Sequence, residues 1–132
     1  MFPLGKIMTK GVVVVKENTP IYEAIEALVD NKVSGLPVVD EGNNLVGVLS
    51  EWDVLELLTD HEIKKDTQVK DYMTKEVISF EENDSAIDVC EFFKKSNKRR
   101  VPIVRDHQLI GIVSRHDLIK LILQIRKRVL NK

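Results

Sequence analysis

The hydrophobic positions of this chain follow one programme twice. Residues 12–15 form a β-branched run that predicts a strand, and residues 77–80 match it. Thr19-Pro20 then predicts an N-cap followed by proline at the first helical position, and Asp84-Ser85 holds the equivalent place. Ile21, Ala24, Ile25, Leu28 and Val29 follow at helical spacing; Ala86, Val89, Cys90 and Phe93 repeat that stripe, which puts Cys90 at a core position equivalent to Ile25. Leu36-Pro37-Val38-Val39 and Val101-Pro102-Ile103-Val104 are short apolar runs read as strands entered through proline, a residue that belongs at a strand start or an edge. Residues 45–49 and 109–113 are the next strands, each joined to its predecessor by a short polar turn, hence two hairpins. Val54, Leu55, Leu57 and Leu58 close the first copy as a helix, and Leu118, Ile119, Leu121, Ile122 and Ile125 close the second. The predicted unit is β-α-β-β-α. One such unit alone leaves an apolar sheet face exposed, so two should pack together.

Residue identities carry the same duplication. Ile7-Met8-Thr9-Lys10 recurs as Tyr72-Met73-Thr74-Lys75, and Val33-Ser34-Gly35-Leu36-Pro37 aligns with Lys98-Arg99-Arg100-Val101-Pro102, both at an offset of 65 residues. Gly47-Val48-Leu49-Ser50-Glu51-Trp52-Asp53 aligns with Gly111-Ile112-Val113-Ser114-Arg115-His116-Asp117 at an offset of 64. The lost residue falls in the turn Asp40-Glu41-Gly42-Asn43-Asn44, where turns accept deletions. Repeat 1 is placed at residues 6–60 and repeat 2 at 69–126, and the polar stretch 59–68 joins them as a solvated linker with one helical turn.

Composition narrows the chemistry. The chain has 132 residues, 20 Lys plus Arg against 21 Asp plus Glu, and a formal charge of −1, which argues against nucleic-acid binding driven by excess positive charge. One cysteine excludes an internal disulfide framework, and no apolar run approaches the roughly 20 residues needed to span a bilayer. With no secretory pattern at the N-terminus, a cytoplasmic protein without membrane contact is expected. His61, His107 and His116 lie far apart, and there is no GxSxG, GxGxxG or P-loop, so neither a metal site, a catalytic cofactor nor an enzyme is expected. The basic run Arg126-Lys127-Arg128 suits the negative end of a helix dipole.

The closing motif Gly-x-x-Ser-x-x-Asp offers chemistry. Glycine lets a ligand approach the backbone, and Ser50 and Ser114 fall where a strand meets a helix, so their hydroxyls can donate to phosphate or ribose oxygen. Asp53 and Asp117 are acceptor-only when ionised, and two acceptor oxygens suit the paired hydroxyls of a ribose. Ser-x-x-Asp also resembles a helix capping box, and the two roles are compatible. Arg99 and Arg100, beside Lys98, have guanidinium forks suited to phosphate, while Glu51 would repel it.

The duplicated β-α-β-β-α unit, the Leu-Pro-Val-Val-Asp strand and the Gly-x-x-Ser-x-x-Asp ending resemble the cystathionine-β-synthase-type (CBS) domain, here in a tandem, stand-alone pair. The resemblance spans residues 6 to about 125. It implies an α/β fold of two pseudo-symmetric units packed through their sheets, with helices outside, and a homodimer. It implies a regulatory module sensing AMP, ADP or ATP, or a related adenosyl ligand such as S-adenosylmethionine, in clefts between the repeats, and a regulated partner protein. A module without nucleotide, serving protein interaction, is the alternative. Carried onto this sequence, one site joins Ser50 and Asp53 to Ile78, Arg99, Arg100, Val101 and Pro102. The other joins Ser114, Arg115, His116 and Asp117 to Val13, Ser34, Gly35, Leu36 and Pro37, and Met8 and Met73 line the adenine pockets.

Overall fold

A computed structural model describes residues 1–60 and 65–131 of the chain. The first copy contains β1 (Val15–Lys16), α1 (Ile21–Asn31), β2 (Gly35–Val39), β3 (Leu45–Ser50) and α2 (Glu51–Leu55), which runs on as a 3-10 turn, Glu56–Leu58. The second contains β4 (Phe80–Glu81), α3 (Ala86–Lys95), β5 (Arg100–Arg105), β6 (Gln108–Ser114) and α4 (Arg115–Leu130). Each copy forms a three-stranded sheet, β1-β2-β3 or β4-β5-β6, whose first pair is parallel and second antiparallel. The fold is therefore α/β, with the expected element order twice.

The leading strands are shorter than the β-branched runs imply. Val15 pairs with Val38 and Phe80 with Ile103, so the residue before each stands next in register to Pro37 or Pro102. Proline has no N–H to give to a ladder, and the pairing stops there. The N-cap of α1 also moves by one position. Thr19 Oγ1 accepts the Lys16 N–H inside the preceding turn, 3.0 Å away, and Pro20 takes the cap position. The second copy shifts likewise: Asp84 Oδ2 accepts the Glu81 N–H at 2.8 Å, and Ser85 takes the cap position of α3, accepting from the Ile87 N–H at 3.1 Å.

Helix burial is narrower than the apolar stripes. Ile21, Ala24 and Leu28 are buried on α1, and Ala86, Val89 and Phe93 on α3, each set spaced at i, i+3 and i+7. Cys90 is exposed, contrary to the core position expected of it, and so is Val29. Both flank a buried seam that those three residues already fill.

The chain divides into two compact units, residues 13–77 and residues 1–12 together with 78–132. The segment preceding each first strand thus packs with the other repeat. Residues 1–12 and 69–77 act as matching straps, each beginning with a 3-10 turn, Leu4–Lys6 or Val69–Asp71. Leu4, fully buried, sits in the core of Ala86, Val89, Phe93, Val101, Ile103 and Val113. Val69, equally buried, sits in the core of Val15, Ile21, Ala24, Leu28, Leu36, Val38 and Leu49. Each strap then bridges the middle of the third strand. Thr9 exchanges backbone hydrogen bonds with Ile112 at 2.8 and 3.0 Å, and Thr74 with Val48 at 2.9 Å each way.

Of the joining stretch 59–68, residues 61–64 lie outside the described residues, His61 among them. Among the described residues no helix is long and apolar enough to cross a membrane. Lys127 and Arg128 occupy the last turn of α4, where cations oppose the helix dipole.

Candidate functional site

Both Ser-x-x-Asp motifs stand at a strand-to-helix junction and form capping boxes. Ser50 ends β3 and caps α2. Its Oγ accepts the Asp53 N–H at 3.2 Å, and Asp53 Oδ2 accepts the Ser50 N–H at 2.8 Å and hydroxyl at 3.0 Å. Ser114 and Asp117 repeat the arrangement at 3.1, 2.8 and 3.0 Å on α4. The remaining carboxylate oxygen of each is met by a strap. Thr74 Oγ1 donates to Asp53 Oδ1 at 3.0 Å, and Thr9 Oγ1 to Asp117 Oδ1 at 3.2 Å. Asp53 is half-buried. Asp117, 8% exposed, is the one buried charged side chain among the described residues. Its burial is tolerable because both of its oxygens accept hydrogen bonds.

The straps also account for the motif glycines. A Cβ on Gly47 would stand 2.8 Å from Thr74 O, and one on Gly111 would stand 2.6 Å from Met8 Sδ and 3.0 Å from Thr9 O. The close approach that excludes a side chain at these positions is the strap's own, rather than a ligand's. Met8 and Met73 pack on Gly111 and Gly47 in the same contacts, as partly buried members of the two cores. The threonines were invisible to motif reading, although their Met-Thr-Lys blocks had signalled that something recurs there.

Within each unit the hairpin fixes which pre-proline segment lies beside each Ser-x-x-Asp. Antiparallel pairing sets Gly35 opposite Ser50 and Arg100 opposite Ser114, while the Glu51 N–H donates to Ser34 O at 2.9 Å and the Arg115 N–H to Arg99 O at 3.1 Å. Inside its own unit, each Ser-x-x-Asp therefore stands beside the pre-proline segment of its own repeat. Arg99 and Arg100 are neighbours of Ser114, and Ser34 and Gly35 are neighbours of Ser50. The hairpin register requires this. Leu36, Pro37, Val101 and Pro102 are buried in their strands, whereas Val13 and Ile78 are exposed. Arg115 is held from two sides: its Nε donates to Lys98 O at 3.1 Å, and its guanidinium lies 5.9 Å from the centre of the Phe93 ring. His116 and Arg99 are exposed. Among the described residues no group of three or more His, Cys, Asp or Glu side chains could hold a metal ion.

The CBS domain family matches residues 4–60 and 69–124 of this chain. The chain is a tandem pair of CBS domains. The pair is 34% identical to CBSX2 in a crystal structure of that protein in complex with AMP, with a TM-score of 0.85 over 96% of this chain and 99% of that one; CBSX2 comes from Arabidopsis thaliana. It is 28% identical to the CBS domain pair of protein MJ0100 in complex with 5′-methylthioadenosine and S-adenosyl-L-methionine, with a TM-score of 0.76 over 92% and 96% of the two chains. It is also 35% identical over 120 residues to the uncharacterized protein MJ1225 of Methanocaldococcus jannaschii, covering 91% of this chain but 42% of that protein's length.

Proposed function

We propose that this CBS pair is a regulatory module that binds an adenine nucleotide (AMP, ADP or ATP) or a related adenosyl ligand such as S-adenosylmethionine, and that it works in the cytoplasm as a homodimer acting on a partner protein. The observation that carries this reading is the likeness to AMP-bound CBSX2 over nearly the whole of both chains. The two Ser-x-x-Asp junctions are the proposed receivers. Capping occupies Oδ2 of each aspartate, so a ribose diol would be received at Oδ1, beside or in place of the threonine hydroxyl. Regulation would follow from differential affinity, because a ligand shifts a conformational equilibrium only by the difference in its affinity for the two states.

The test is a thermal-shift panel of AMP, ADP, ATP and S-adenosylmethionine, followed by calorimetry on Asp53→Ala and Asp117→Ala. Binding to the native state appears as stabilisation that grows with ligand concentration. A rise in Tm with at least one ligand, and weaker binding in at least one variant, are expected. Absence of any rise would leave the second reading, a protein-interaction module. That reading is favoured by the engagement of both aspartates in caps and by exposed apolar side chains such as Trp52 and Leu58.

A further inference from the structure

The two Ser-x-x-Asp junctions share one backbone frame but differ in charge, and the difference follows the frame position by position. Glu51 N–H to Ser34 O matches Arg115 N–H to Arg99 O, and Gly35 opposite Ser50 matches Arg100 opposite Ser114. Around Ser114 the frame carries Lys98, Arg99, Arg100 and Arg115, four fixed cations against the single carboxylate of Asp117, with His116 adjoining. Around Ser50 the same places hold Val33, Ser34, Gly35 and Glu51, with Trp52 adjoining. These frame positions hold no cation, and two carboxylates, Glu51 and Asp53, are present.

We infer that the junctions take different classes of adenosyl ligand: the Ser114 junction takes one bearing phosphate, and the Ser50 junction takes one that is uncharged or cationic at the 5′ position. This inference rests on the adenosyl-binding reading above. Planar guanidinium groups hold phosphate oxygens through charge-assisted hydrogen bonds, and Arg115 is partly ordered before any ligand arrives. Its bond to Lys98 O uses Nε and leaves the chemistry of its terminal nitrogens for an anion. At the Ser50 junction a phosphate would approach Glu51 and Asp53 with no cation among these frame positions. A neutral nucleoside escapes that repulsion, and a sulfonium gains from it. One chain would then read two chemically distinct adenosyl pools.

The experiment is calorimetry with AMP, adenosine and S-adenosylmethionine on the full chain, its Arg99→Glu variant and its Glu51→Arg variant. Both substitutions fall at exposed positions, and circular dichroism checks the fold of each. Wild type is expected to bind AMP with a stoichiometry near one and adenosine at both junctions. Arg99→Glu should weaken AMP tenfold or more relative to adenosine. Glu51→Arg should open the second junction to AMP and weaken S-adenosylmethionine. Two equal AMP sites in wild type, or a ratio of AMP to adenosine affinity unmoved by either charge reversal, would overturn the inference while leaving the adenosyl reading intact. Failure of all three ligands to bind wild type would overturn both.

Discussion

Asp117 illustrates how one side chain can satisfy structure and still offer chemistry. Replacing it with alanine removes the acceptor of the partly buried Ser114 N–H and of the Thr9 hydroxyl at a buried position, so Asp117→Ala should cost about 2–3 kcal/mol, within the range for a lost cap plus an unsatisfied group. Asp53→Ala, at a half-buried site where water can replace the carboxylate, should cost about 1 kcal/mol. Urea denaturation of the two variants measures the difference, and equal losses would contradict the burial argument. The glycines give a second ordering. At Gly47 a new Cβ meets a backbone oxygen at 2.8 Å, whereas at Gly111 its nearest neighbours belong to the flexible Met8 side chain. Gly47→Ala should therefore destabilise more than Gly111→Ala, within about 1–3 kcal/mol for overpacking; the reverse order would show that the first strap yields less than the second. Tyr72 supplies a spectroscopic prediction. Its hydroxyl donates to the Asp60 carboxylate, and that bond, which deprotonation would destroy, pushes its pKa up to about 12. The stability from the bond is whole below the ordinary tyrosine value of 10.0 and is lost as pH rises through about 12. Ultraviolet titration should show a tyrosinate transition near there that Tyr72→Phe abolishes. The Ser and Asp pair was readable in the sequence because capping and ligand chemistry both use that spacing. The roles of Thr9, Thr74 and the glycines were not, because each depends on a residue more than 20 positions away.

At the level of elements, the straps change what counts as a folding unit. Leu4 and Val69 are fully buried in cores whose other members lie in the opposite repeat, so a repeat cut at its own sequence boundary loses a core side chain and a strand bridge together. Leu4→Ala should destabilise by about 2–5 kcal/mol, the usual cost of a leucine truncated in a packed core. Deleting residues 1–12 should lower the Tm further, since the Thr9–Ile112 bridge and the Thr9–Asp117 bond go with it. A deletion variant that melts with wild type would show that the strap adds nothing. Helices and hairpins were legible because their signals are local: apolar spacing for α1, α3 and α4, polar turns for the two hairpins. The exchange of straps was not, because repetition reveals that two segments are alike without revealing which copy each one joins.

On the scale of the whole molecule, the closing helices pose a question of covering. Their apolar side chains divide between the cores and the exposed surface. Val54 and Leu57 pack against the core of residues 13–77, and Leu118 and Leu121 against the other core. Leu58 is 83% exposed and Trp52 81%, while on α4 Ile119, Ile122 and Leu123 stand exposed at i, i+3 and i+4. Apolar side chains gathered on one helix face favour burial against a partner surface. Under the proposed homodimer these faces are covered by a second copy. Sedimentation velocity should then show a dimer at micromolar concentration, and Ile122→Asp should shift it to monomer, because a carboxylate placed in an apolar contact loses hydration without gaining a partner. The same substitution touches neither core cluster, so the monomer should keep its circular dichroism spectrum. A wild-type chain that sediments as a monomer at every concentration would remove self-association as the reason for these exposed residues and would leave a different protein as the surface that covers them.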